Sequence, residues 1–189
     1  FEMEIPEIAE GIIRVMKVAR DPGYRSKVAV YSMDERVDCI GACLGVRGTR
    51  IRNINDELRM EKIDIIGWSD SLEELVQNAL KPAKDILIDH IFPDEENQSV
   101  FVLVSEDQKP LAIGLGGRNV RLAAQIVGWD IELKTPAEYE AEMIAEGGDP
   151  SGLDQLDFAP EAAPQSLEET APVPTDSPAE DTARTQEDA

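Results

Sequence analysis

"LAIGLGGRNVRLAAQIVGW" (residues 111–129) runs from an apolar stretch into a glycine cluster and leaves it through a helix-like segment bearing two arginines. Glycine loops at the mouth of a helix hold phosphate, because main-chain N–H groups and the positive end of the helix dipole meet there. An earlier stretch repeats the wording. "IGACLGVRGTRIRNINDELRMEKIDIIGW" (40–68) aligns with "PLAIGLGGRNVRLAAQIVGWDIELK" (110–134) at an offset of 69, setting Leu44 on Ile113, Gly45 on Gly114, Gly48 on Gly117, Ile51 on Val120 and Arg52 on Arg121. The closing segments "KIDII" and "DIEL" follow at an offset of 68. The chain therefore contains one unit twice, and the repeat decides the fold.

Each copy has the same parts. In the first, Ile12–Ala19 alternates as a strand, "DPGYRS" (21–26) makes a turn, and "KVAVYSM" (27–33) returns as a second strand. Asp38 is an N-cap for a short helix over 39–44 that ends at Gly45. Ile51, Ile54 and Leu58 recur at helical spacing through 49–59, and Ile63 and Ile65 open a third strand. In the second copy, "SLEELVQNALK" (71–81) is an amphipathic helix capped by Ser69 or Ser71, and "AKDILIDHIF" and "SVFVLVS" form a hairpin across "PDEENQ". Residues 110–113 and 118–127 form helices and 130–134 a strand. A helix around "PEIAEG" completes the match, giving α-β-β-α-α-β twice, an α+β class with helices on one face of a small mixed sheet.

A lone G-x-x-G carries little, but two at matching positions of a repeated unit, each between two helices, are a signal. A dinucleotide fingerprint needs G-x-G-x-x-G straight after a strand, and here the glycines follow a helix. A triphosphate loop needs Gly-Lys-Ser/Thr, whereas Thr49-Arg50 follows Gly48 and Arg118-Asn119 follows Gly117.

Charge is unevenly spread. Up to Pro136 there are 17 Lys+Arg against 24 Asp+Glu; the last 53 residues hold one arginine, Arg184, against 15 acids. That Pro/Ala/Glu-rich segment, 137–189, has too little apolar surface to offset its ordering entropy and is expected to be disordered. The acidic balance of the whole chain thus belongs to a tail and does not exclude a polyanion partner. Cys39 and Cys43 stand four apart without further ligands nearby, so they are expected to be small buried hydrophobes, with no metal. His90 falls in an expected strand without a nucleophile or acid partner at a suggestive spacing, and Asp94, Glu95 and Glu96 sit in a polar turn, so no catalysis and no cofactor are expected. Without a run of 18 apolar residues or a signal peptide, the expectation is a soluble cytoplasmic protein; the start at Phe1 suggests a fragment of a longer one.

The arrangement resembles the K homology (KH) domain in its type II, prokaryotic form, whose GXXG loop clamps the sugar-phosphate backbone of about four nucleotides. The wording of "EIPEIAEG", "VARDPGYRSKVAVYS", "VDCIGACLGVRGTRI", "NDELRMEKIDIIGWS", "ALKPAKD" and "LAIGLGGRNVRLAAQIVGWDIEL" resembles the tandem KH region of the NusA family of bacterial transcription factors, over roughly residues 1–135. The resemblance implies a first KH domain over 1–68, a second over 69–136, joined by Ile66-Gly67-Trp68-Ser69 without a flexible linker, and the acidic tail after them. It implies single-stranded nascent RNA as ligand, with RNA polymerase and other elongation or antitermination factors as partners, no membrane, and a role in pausing, termination and antitermination. A protein-interaction scaffold of the transcription complex, with RNA secondary, is the alternative.

Carried over residue by residue, the clamps are Gly45, Val46, Arg47 and Gly48, and Gly114, Leu115, Gly116 and Gly117, flanked by Arg50, Arg52, Arg118, Asn119 and Arg121. Bases would lie in an apolar groove between helix and adjacent strand. Similar proteins usually carry a lysine within the second loop, where this chain has Leu115 and Gly116; that clamp is expected to lean on Arg118 and Arg121. Cys39 stands where a proline is usual.

Overall fold

A computed structural model describes residues 1–84, 86–87 and 90–145. The first unit comprises α1 (Pro6–Ala9), β1 (Ile13–Asp21), β2 (Arg25–Ser32), α2 (Cys39–Leu44), α3 (Thr49–Glu57) and β3 (Lys62–Gly67). The second comprises α4 (Leu72–Ala79), β4 (Ile91–Asp94), β5 (Ser99–Leu103), α5 (Lys109–Ile113), α6 (Arg118–Val127) and β6 (Asp130–Lys134), and α7 (Pro136–Ala145) follows. The α-β-β-α-α-β order thus occurs twice. In each copy the first strand pairs antiparallel with the second, and the second parallel with the third, as in Val18↔Val28↔Ile65 and Phe92↔Phe101↔Glu132. Asp38 caps α2, accepting the Ile40 N–H at 3.1 Å. Ser71, not Ser69, caps α4, accepting from Glu74 N; Ser69 Oγ instead accepts the Ser71 N–H.

Three expectations are corrected. The strand expected over 83–92 lies later, at Ile91–Asp94; of the earlier residues, Ala83 and Ile86 are buried in the core outside any strand, while 85, 88 and 89 lie outside the described residues. Pro93 is tolerated because β4 is an edge strand, where a missing N–H interrupts no central ladder. His90 accordingly precedes β4 and is buried. Residues 137–145, assigned by composition to a disordered tail, belong with Pro136 to α7, whose Tyr139 ring stacks on Phe101 at 5.0 Å while Lys109 pairs with Glu138. The remainder of the tail lies outside the described residues.

Two apolar clusters organise the chain. One is internal to the first unit: Ile5, Ile13, Val28, Val30, Cys43 and Ile54. The other gathers Ala19, Ala29 and Ile66 of the first sheet with Leu75, Val76, Val102, Leu122, Ala123 and Ile126 of the second unit. The first sheet is therefore covered on both faces, by its own helices and by α4 and α6. A bulge between Val15 and Lys17 makes this possible: Ile13 and Val18 share the face of Val28 and Val30, while Ala19 turns to the other side with Ala29. Without the extra residue, the two-residue period would aim Ala19 at the inner cluster. Small residues at Ala19, Ala29 and Ala123 let α6 lie close to the sheet. Fully burying Ile66 there contributes about 1.5–3 kcal/mol.

Lys27 lies in the same seam, fully buried, with Nζ donating to Asp64 Oδ2 at 3.1 Å and to the Lys81 carbonyl at 2.7 Å. Burial pushes its ammonium down to about 8 against the pull of Asp64. Trp68 packs against the shared cluster and its N–H bonds to Val30 O at 2.8 Å, so the join between the units is held to the first sheet. Among the described residues no helix is long and apolar enough to cross a membrane.

Candidate nucleic-acid interface

The two glycine loops have nearly the same backbone. Gly45 and Gly114 take φ/ψ of 72/174° and 71/172°, and Gly48 and Gly117 take 71/26° and 71/14°. Between them Arg47 (53/29°) and Gly116 (63/27°) occupy the same left-handed region. Only glycine enters that region without steric cost, so Arg47 holds its place at a cost that Gly116 does not bear. The first glycine of each loop meets a second demand: a Cβ at Gly45 would lie 2.7 Å from Arg50 Cγ, and at Gly114 2.7 Å from Asn119 Cβ. Each loop is thus folded tightly against the residue five positions on.

Those two residues are equivalent and do the same work. Arg50 donates to Ala42 O at 2.7 Å and to Glu7 at 2.9 Å; Asn119 donates to Ala112 O at 2.9 Å, Leu80 O at 3.0 Å and Leu111 O at 3.4 Å. Both pin the helix before the loop to the helix after it. Asn119 is fully buried and its Nδ2 group is spent inside the fold, a setting unlike that of the exposed RNA contact expected of it. Two residues further along each helix, Arg52 donates to Arg47 O at 2.8 Å and Arg121 to Gly116 O at 3.2 Å, each bracing the carbonyl at its loop's third residue while remaining exposed.

Arg118 has a different setting. Its Nε donates to Asp21 Oδ2 at 3.0 Å, and its guanidinium carbon lies 4.0 Å from the centroid of the Tyr24 ring. Both partners belong to the β1–β2 turn of the first unit. Glu61 shapes that turn from beneath, accepting Arg20 Nε and Nη2 at 2.9 and 3.0 Å, the Gly23 N–H at 2.9 Å and the Ser26 hydroxyl. The hydrogen bonds from Arg20 hold the buried Glu61 carboxyl down at about 2 despite its desolvation. A recess of about 160 Å³ at this seam is lined by Arg20, Asp21, Arg118, Arg121, Leu122 and Gln125.

The electrostatics suit an anion. Neither α3 nor α6 has an acid of its own in its first turn, whereas α4 has Glu73 and Glu74; the carboxylates near the two loop helices, Glu7 and Asp21, come from elsewhere in the chain and are engaged by Arg50 and Arg118. The Gly48 and Gly117 amides are spent on the carbonyls of Gly45 and Gly114, so each loop presents fewer inward-facing donors than its glycines alone suggest. Arg47 and Arg52 at the first loop and Arg121 at the second are the exposed charges; Val46 and Leu115, at the second position of each loop, are 81% and 84% exposed. Cys43 is buried, with its thiol pushed up to about 11 by that burial, and Cys39 is half-buried against Val30 O. Sequence reasoning missed Asp21, Tyr24 and Glu61; the turn-forming "DPGY" is the only signal for the first two, and Glu61 has no local one.

Residues 1–68 match the family described as NusA-like first KH domain, and residues 72–141 match NusA-like second KH domain. The chain belongs to the NusA family. Each matched stretch contains one loop, Gly45–Gly48 or Gly114–Gly117, and the second reaches into α7. The chain is similar to the transcription termination/antitermination protein NusA of Borreliella burgdorferi, 49% identical over 144 residues covering 76% of this chain and 29% of that protein. It is similar also to the Thermus thermophilus protein of the same name, 46% identical over 153 residues, 75% of this chain and 39% of that one. The chain thus spans between about a quarter and two fifths of the NusA relatives it matches. Among solved structures, one titled crystal structure of APE1850 aligns with a TM-score of 0.49 at 24% identity, over 70% of this chain and 96% of that one.

Proposed function

We propose that this NusA-family region holds single-stranded RNA by its backbone, one segment in each GXXG loop, within a cytoplasmic transcription factor that acts with RNA polymerase and other elongation or antitermination factors on nascent RNA. The observation that carries the reading is the near-identity of the two loops: the same backbone dihedrals, at the starts of two equivalent helices, each beside an exposed arginine that braces the third residue. Two such loops in one body suit a polymer of regularly spaced phosphates. The relatives' shared name, transcription termination/antitermination protein, supports the setting.

In this reading the first KH domain spans 1–68 and the second 69–136, with α7 packed on the second. Gly45, Val46, Arg47, Gly48 and Arg52 face RNA at the first clamp, and Gly114, Leu115, Gly116, Gly117 and Arg121 at the second. Arg50 and Asn119 hold the loops in shape. A titration of labelled single-stranded RNA against the Gly48→Asp/Gly117→Asp variant tests the proposal: affinity falls at least tenfold with circular dichroism unchanged, and unchanged affinity refutes it. Log affinity should fall with log salt at about 0.7 per phosphate neutralised, which a scaffold with incidental RNA contact would not show.

A further inference from the structure

We infer that Arg118 is a spacing latch between the two clamps rather than a phosphate contact: the β1–β2 turn of the first unit grips the first residue of α6 and so sets the distance that one continuous RNA strand must span. The inference deepens the RNA-binding reading and rests on it.

Arg118 is the residue that immediately follows the second loop, so its position fixes Gly117 and the N-terminus of α6. Its guanidinium is engaged on two sides, by the Asp21 carboxylate at 3.0 Å and by the Tyr24 ring at 4.0 Å, and its side chain is 31% exposed. The equivalent residue of the first copy is Thr49, which could supply neither contact, so the arginine belongs to the join and not to the repeated clamp. The gripping turn is itself preorganised. Glu61 ties together Arg20, Gly23 and Ser26 on either side of Asp21 and Tyr24. A surface ion pair alone contributes little, but this one spans 97 residues of sequence, is closed by an aromatic ring and is backed by a buried carboxylate.

When two sites bind one polymer, the second engagement is governed by the effective concentration that the first creates, and that depends on spacing and orientation. Loosening the latch leaves each clamp's own chemistry intact and lowers the gain from binding both. A phosphate contact at Arg118 would behave otherwise: it would weaken the second clamp whether or not the first was working.

The test is a set of anisotropy titrations with a labelled 12-nucleotide random-sequence RNA. Asp21→Ala, and separately Tyr24→Leu, should weaken binding about tenfold when both loops are intact and less than twofold in a Gly48→Asp background, where only one clamp operates. Exchanging the charges, Asp21→Arg with Arg118→Asp, should return affinity to within about threefold of the parent. Equal losses in both backgrounds, or a charge exchange no better than Arg118→Asp alone, overturn the latch. If Asp21→Ala and Tyr24→Leu have no effect while Gly48→Asp weakens binding, the latch fails and RNA binding stands. If Gly48→Asp/Gly117→Asp leaves affinity unchanged, RNA binding fails and takes the latch with it.

Discussion

Glu61, with no exposed side-chain surface, receives both Nε and Nη2 of Arg20 at 2.9 and 3.0 Å. A carboxylate at the foot of a hairpin turn, satisfied by a guanidinium, a main-chain N–H and a hydroxyl, is fully compensated for its burial and rigidifies the turn. Its folded pKa of about 2, against an ordinary 4.5, makes it a source of acid lability. Because the folded value is depressed, the stabilisation is complete above pH 4.5 and is lost as pH falls from there towards 2, about 3 kcal/mol in all. Urea denaturation at pH 7, 4.5 and 3 should show this loss in the parent chain. Glu61→Gln should be less stable at pH 7 and should lack that component of the decline.

The seam between the units depends on small side chains. Ala29 and Ala123 are both fully buried in the shared cluster. Ala123→Leu should destabilise the chain by about 1–3 kcal/mol through overpacking, and should split a single denaturation transition into two. Val28→Leu, on the internal face, would shift the midpoint without splitting it.

The second loop can be given the charge it lacks. A Cβ at Gly116 would meet nothing within 4 Å, although its φ of 63° imposes strain. Gly116→Arg copies Arg47 of the first loop. The expected outcome is a stability loss of about 1–2 kcal/mol together with tighter RNA binding and a log-log salt slope steeper by about 0.7. Thermal denaturation and anisotropy titration at two salt concentrations read the two effects separately.

Asn119 and Arg121 stand two residues apart and should separate cleanly. Asn119→Ala removes the side-chain donor to the Ala112 carbonyl and one of the two donors to the Leu80 carbonyl, which keeps the Ala83 N–H, and should cost about 1–3 kcal/mol of stability. Arg121→Ala should leave the denaturation midpoint within about 0.5 kcal/mol and weaken RNA binding. A stable Asn119→Ala variant with impaired binding would return Asn119 to the RNA-facing set.

Much of this was legible in the residues. The repeat, the two loops, α2 with its Asp38 cap, and α6 over 118–127 follow from glycine placement and apolar spacing, because those signals are local. What escaped depends on partners distant in sequence. Asn119 is equivalent to Arg50 and polar, and nothing nearby tells that it points inward. Arg118 looks like any loop arginine until Asp21 is brought beside it. The bulge at Met16 is hidden because β1 carries apolar residues for both faces, so alternation cannot reveal the slip. The hairpin's first strand begins later than the run suggests: "ILIDHIF" (86–92) is apolar apart from Asp89 and His90, and Ile86 serves the core outside a strand.

The two sheets also record how a duplicated module becomes asymmetric. Aligning the parallel pairs sets Lys27 of the first sheet on Phe101 of the second, and Asp64 on Glu132. The clamps share a backbone while Lys27 and Phe101 differ in what covers them: Lys27 is buried against Asp64 and the Lys81 carbonyl of the neighbouring copy, and Phe101 stacks on Tyr139 of α7. Each copy leaves one side unfinished for whatever comes next along the chain. A third copy could therefore not simply be appended; α7 stands where it would dock, and the Phe101 side would first have to be rewritten.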